Sequence, residues 1–274
     1  VYKRQIVDAP YLTIEQIIQH SEQFRLDGAD VIDIGCLPDT PFSHMEEAIT
    51  TLKREGFSVS IDSLDDSELK RGIGAGADYV FSLREQTLDL VFGHACIPIL
   101  IPNVTSDSDS LNRAIDKFAK YDRPFFADPI IEPIHHGFTA SLLRYKNTRD
   151  RYPELSLMIG VGNLSELTHT DSLGLNTLLM GIVSELGITG VLTTEVSPHC
   201  RSAIRELDRA RRIMFAARED HTPPRHIDES LLALHDRHPF PYTPQEIAEF
   251  ATGVTDDNFR IQISGDGIHI YTVS

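Results

Sequence analysis

Short apolar runs recur along the chain, separated by helix-length stretches. They are RQIV near residue 4, DVIDI at 30, FSVSI at 57, DYVFSL at 78, IPILI at 97, RPFFA at 123, LSLMIGV at 155 and GVLTT at 190, at intervals averaging about 27 residues. Each gap holds a segment of helical periodicity, so the pattern predicts strand–helix alternation in parallel βαβ units. Eight such units are what a (β/α)8 TIM barrel requires, so the fold class is α/β.

Several helices can be read individually. Thr13 and Gln16 form a capping-box pair, Ile14, Ile17, Ile18 and Phe24 make an apolar stripe, and Gly28 closes the segment. Ser43, Glu46 and Gly56 repeat that pattern as cap, box partner and stop. Residues 172–187 carry Leu175, Leu178, Leu179, Ile182, Val183 and Leu186 at helical spacing, and an Arg-rich stretch at 198–218 predicts the last barrel helix, with Pro198 in its first turn.

After Glu219 the texture changes. HTPPRH and HPFPYTP interrupt the pattern as a linker, followed by a helical segment PQEIAEFATG and by FRIQISGDGIHIYTV, two alternating runs that predict a β-hairpin turning at Gly265, Asp266 and Gly267. The expected organisation is a barrel over residues 1–218 and a small α+β appendage over 225–274, which packs on the barrel or continues into further sequence. Val1 in place of Met points to a segment of a longer polypeptide.

Composition excludes several classes. The 274 residues are 41% hydrophobic and 24% charged, as in an ordinary globular protein. The net charge of −16, from 41 acids against 25 bases, argues against a nucleic-acid partner. Without a run of 18 apolar residues or a secretory leader pattern, a membrane partner is not expected and the location is expected to be cytoplasmic. Cys36, Cys96 and Cys200 are too scattered for a disulfide framework or a CxxC site, and Cys36 is assigned to packing.

In such a barrel, polar residues at the C-terminal ends of the strands form the site. Here these are mostly carboxylates: Asp8, Asp33, Asp62, Asp128 and Glu195. A carboxylate at an apolar barrel mouth can accept paired donors from a flat heterocycle. Three have a plainer alternative: Asp62 precedes a helix it could cap, Asp128 precedes Pro129 and could also cap, and Asp33 lies inside its strand, where a structural hydrogen bond is the competing role. His135 and His136 lack an HExxH or carboxylate set, so no metal is expected, and His235 and His238 read as solvated linker. The six lysines fall near strand starts or on predicted helices, leaving no Schiff-base candidate; GxSxG and GxxxxGK[ST] are absent, and GVGNL lacks the third glycine of a dinucleotide fingerprint.

GADVIDIG, then VSIDS, AGADYV and the ADP that ends the sixth run resemble, in order and spacing over residues 1–218, the pterin-binding fold of dihydropteroate synthase. DPIIEPI and GVGNLSEL are similar to the corresponding segments of the pterin-binding domains of corrinoid-dependent methyltransferases. The chain is identified as a member of the dihydropteroate synthase-related proteins. The resemblance implies that Asp62 and Asp128 hold a pterin ring, Asp128 on its amino and ring N–H edge, with Asn163 near N5 of the reduced ring and Asp33 and Glu195 also in the pterin site. The family asparagine of strand four falls at Phe81 or Ser82.

The chain also departs from the synthase pattern. Leu164 stands where the synthase has its strand-seven lysine, residues 192–194 lack the strand-eight Arg and His that bind diphosphate, and Val7, Asp8, Ala9 and Pro10 replace the first-strand motif. The expected function is therefore handling of a reduced pterin, as a transferase in tetrahydromethanopterin or folate-like biosynthesis or as a C1-carrier binding domain. The pterin is the small-molecule partner and no other cofactor is required; Arg84 and Arg201 are the basic candidates for stabilising a leaving group. A homodimer through helices seven and eight is expected by analogy. The alternatives are a non-catalytic scaffold barrel and a lyase or isomerase using Asp62 or Glu195 as base.

Overall fold

A computed structural model describes residues 2–232, 238 and 240–273; His235 lies outside the described residues. The chain divides into two compact units, Val1–Leu231 and Leu232–Ser274.

The eight apolar runs all become parallel strands: β1 (Tyr2–Ile6), β2 (Val31–Gly35), β3 (Ser58–Asp62), β4 (Tyr79–Leu83), β5 (Ile97–Leu100), β6 (Phe126–Ala127), β7 (Met158–Gly160) and β8 (Gly190–Thr193). They pair in the order β6-β5-β4-β3-β2-β1-β8-β7, and a parallel bridge between Ala127 and Leu157 joins the two ends into a closed barrel. Closure removes both sheet edges, so a β6 of two residues is enough.

The first unit's helices are α1 (Ile14–Asp27), α2 (Met45–Arg54), α3 (Asp66–Gly74), α4 (Ser108–Phe118), α5 (Phe138–Arg151), the short α6 (Gly162–Ser165), α7 (Ser172–Glu185) and α8 (Ala203–Glu219). The Thr13–Gln16 capping box forms as expected, and Gly28 ends α1 in the left-handed region at φ 112°. Ser43 does not cap α2. The N-cap is His44, without a side-chain cap bond, because Glu46 is drawn away to Arg71 of α3. The last helix also starts later than the sequence predicts. Pro198 lies in a 3-10 turn (Pro198–Cys200), and the Glu195 carboxylate accepts the Ile204 N–H at 3.0 Å in the first turn of α8.

Two layers fill the barrel. The main core lies between strands and helices and includes Ile34, Ile49, Leu52, Ile61, Leu100 and Leu207. Inside, Phe81, Ile99 and Met158 form a separate apolar plug, while a register row of Gln5, Asp33 and Ser60 makes the β1–β3 side polar. Buried Asp33 accepts the Ser60 hydroxyl across β2–β3, which is how a carboxylate is tolerated inside.

The second unit holds α9 (Pro244–Thr252), with a Thr243–Glu246 capping box, and an antiparallel pair of β9 (Arg260–Ser264) and β10 (Gly267–Tyr271) in which Ile263 faces Ile268 and Ile261 faces Ile270. The expected hairpin is therefore present. Among the described residues no helix is long and apolar enough to cross a membrane.

Candidate functional site

At the C-terminal ends of the strands a cavity of about 1080 Å³ opens, lined by Gln5, Asp62, Ser82, Ile130 and Asn163 and by the 36–41 segment after β2. Asp62, the last residue of β3, projects into it. Its Oδ1 accepts the Ser82 hydroxyl at 2.6 Å and its Oδ2 accepts Gln5 Nε2 at 3.2 Å. The helix that follows is capped by Asp65, so Asp62 is released from the capping role its position allowed.

Ser82 reaches Asp62 because β4 is bulged. The β4–β5 register shifts between Val80 and Leu83, and Ser82 takes φ 60°, a left-handed conformation uncommon outside glycine. A bulge re-aims one side chain, here a hydroxyl that would otherwise follow the pleat. Gln5 reaches Asp62 over Gly35, where a Cβ would stand 3.0 Å from the Gln5 side chain. Neither contact is a sequence motif. The legible signals were a polar residue inside the first apolar run and the alignment of Ser82 with a family asparagine.

Asp128 follows β6 and is buried. Its Oδ1 accepts both the Tyr145 hydroxyl at 2.5 Å and the Ile130 N–H at 2.7 Å. Oδ2 takes no hydrogen bond from any described residue. Burial pushes the Asp128 pKa up to about 6 against the pull of those two donors, and the charge of nearby Asp62 adds to the rise. Arg144 clamps the loop from outside: its Nε and Nη2 donate to the carbonyls of Pro129 at 3.1 Å and Ile130 at 2.7 Å, and Nη1 pairs with Glu132 at 2.9 Å. Ile130, a β-branched residue at φ 63°, is held in a strained conformation at the cavity wall. Helix α5 supplies both Arg144 and Tyr145, and its register gave no sequence signal for either role.

Asn163, on α6, faces the same cavity and donates Nδ2 to the Ile131 carbonyl at 2.8 Å, tying the β7 loop to the β6 loop. Cys36 also lines the cavity; burial and then the neighbouring Glu68 carboxylate push its thiol far above the ordinary range, so it stays protonated.

The five carboxylates that share the strand ends in sequence do not share one site. Asp62 and Asn163 line the larger cavity, whereas Asp128 is buried outside its lining, near enough for the Asp62 charge to act on it. Asp33 lies within the barrel, bonded to Ser60. Glu195 and Asp8 line a separate cavity of about 410 Å³ with His20 and Phe24, and Gln5 is the residue common to both cavities. Arg84 and Arg201 line neither. His135 and His136 are exposed, and among the described residues no group of three His, Cys, Asp or Glu is placed to hold a metal ion.

Solved structures share this arrangement of strands and helices. The dihydropteroate synthase of Yersinia pestis, bound to a pterine-sulfa conjugate, superposes with a TM-score of 0.62 at 15% identity over 80% of this chain and 93% of its own. The chain has the dihydropteroate synthase fold. The dihydropteroate synthase of Coxiella burnetii in complex with pteroic acid gives a TM-score of 0.62 at 16% identity, covering 80% of this chain and 93% of that one. The Burkholderia cenocepacia enzyme complexed with 7,8-dihydropteroate gives 0.60 at 14%, covering 81% and 92%. In sequence, an uncharacterized protein of Methanocaldococcus jannaschii is 28% identical over 256 residues, 85% of this chain and 48% of the relative. The chain thus spans about half the length of the curated relative it matches. No family model matches the sequence.

Proposed function

We propose that this dihydropteroate synthase-like barrel binds a reduced pterin at the mouth formed by Asp62, Asp128 and Asn163. It acts as a cytoplasmic transferase in folate-like or tetrahydromethanopterin synthesis, or as a C1-carrier binding domain, within a homodimer. One observation carries the proposal: the two donors to Asp128 converge on Oδ1, Oδ2 takes no hydrogen bond from any described residue, and Ile130, one of those donors, lines the cavity in which Asp62 is already oriented by Ser82 and Gln5. A planar ring with adjacent amino and ring N–H donors satisfies such a carboxylate edge-on, and Asn163 adds a neutral polar group to the cavity lining.

The test is calorimetric titration with 6-hydroxymethyl-7,8-dihydropterin, a reduced folate and a tetrahydromethanopterin precursor. Saturable binding of one of them by the native chain, lost in Asp128→Asn, is the expected result. Absence of binding across all three would remove the pterin assignment.

A further inference from the structure

The charge around the mouth is one-sided. Among the described residues that line the cavity, Asp39, Asp62, Asp65 and Glu68 are acidic and none is Lys, Arg or His. Among these described residues a phosphorylated ligand would meet four carboxylates and no cation.

The place where eight-stranded βα barrels commonly hold phosphate is also filled from within. That place is built from the loops after strands seven and eight, whose backbone N–H groups point at the anion. Here Glu166, immediately after α6, puts its own carboxylate on them. Its Oε1 accepts the Val196 N–H at 2.8 Å and the Thr194 hydroxyl at 2.9 Å, and its Oε2 accepts the Ser197 N–H at 2.8 Å. Although partial burial opposes it, these donors hold the Glu166 carboxyl below its ordinary pKa, so it is ionised at neutral pH. The start of α6 is pressed against the same loop, since a Cβ on Gly162 would stand 2.7 Å from Thr194 Oγ1. Farther along, the Ile204 N–H of α8 is taken by Glu195.

We infer that Glu166 is a specificity-determining residue that closes the barrel's anion cradle, so that the mouth takes an uncharged or cationic heterocycle whose arm carries no phosphate there. This rests on the pterin assignment for the identity of the ring, but not for the exclusion of anions. Arg84, the basic residue after β4, lies outside the cavity lining. A carrier pterin whose negative groups sit farther along its arm remains compatible with the site.

Two arms of one calorimetric experiment on the 274-residue chain separate the claims. Titrated with inorganic pyrophosphate alone, the native chain is expected to show no saturable binding, and folded Glu166→Ala is expected to gain it. Saturable binding by the native chain, or no gain in the folded variant, overturns the inference whatever the ring assignment. Should Glu166→Ala not fold, the native-chain result and the second arm decide. In that arm 6-hydroxymethyl-7,8-dihydropterin is compared with its diphosphate ester. Like-charge contact predicts that the ester binds at least about tenfold more weakly. Equal or tighter binding of the ester overturns the inference while leaving the pterin site standing. Binding of neither removes the pterin site, and the pyrophosphate arm still decides the exclusion of anions.

Discussion

The hydroxyl of Tyr145 donates to Oδ1 of Asp128 at 2.5 Å, the same oxygen that receives the Ile130 N–H. A residue of α5 thus decides which carboxylate oxygen of Asp128 carries the hydrogen bonds. Tyr145→Phe keeps the ring and removes that donor. Because the bond is buried and reaches an ionisable group, it is expected to cost about 1.5–3 kcal/mol, read from urea unfolding, and to raise the Asp128 pKa further. An unchanged urea midpoint would show that the bond contributes nothing to the fold.

Asp128 should leave a signature in the pH dependence of stability. Its native pKa of about 6 lies above the ordinary carboxyl value of 3.8, so between those values the native state holds more protons than the unfolded chain. Stability from this group is therefore full below the unfolded pKa and is lost as pH rises through about 6, a loss of about 3 kcal/mol. Urea midpoints measured at several pH values on the native chain and on Asp128→Asn should differ by that slope. Parallel curves would count against the elevated pKa. Ligand donors prefer the ionised form, so pterin affinity is expected to rise over the same window.

Ser82 is placed in its left-handed conformation at the β4 bulge, with its hydroxyl on Asp62. Ser82→Ala keeps the bulge and deletes the donor. The loss of roughly 1 kcal/mol of orientation should weaken pterin binding about fivefold with the fold intact. Calorimetry alongside a thermal melt checks both halves; unchanged affinity would place Asp62 outside the binding contact.

Gly137 caps the N-terminus of α5 at φ 119°, and a Cβ there would stand 2.4 Å from Glu132 Oε2. Gly137→Ala is expected to destabilise by more than about 1 kcal/mol, from the backbone conformation and from displacing the Arg144–Glu132 pair. Thermal unfolding compared with the exposed control Gly174→Ala, whose Cβ would meet nothing within 4 Å, separates strain at this site from a generic helix effect.

The strand positions could be read from the sequence because a strand buried on both faces must be a short apolar run, and all eight runs are strands. The α1 cap was legible for a similar reason, since Thr13 and Gln16 satisfy each other within four residues. The α2 cap was misread because Glu46, local to Ser43 in sequence, is held instead by Arg71. Asp62 and Asp128 could be nominated from their places at strand ends, and so could Glu195. Their distribution could not be read: Asp62 and Glu195 line different cavities and Asp128 lines neither, because loop and side-chain packing, not position at a strand end, decides which side chains share a cavity.

By itself the sequence determined the period of strands and helices, the acidic balance and the carboxylates at the strand ends, because these depend on local spacing and side-chain chemistry. Only the tertiary structure decided which oxygen of Asp128 takes the hydrogen bonds, that a bulge turns Ser82 onto Asp62, and that Glu166 occupies the N–H groups after β8. Each of these depends on groups brought together from 17 to 31 residues apart in the chain. Their geometry exists only once the closed barrel sets the distance between its loops.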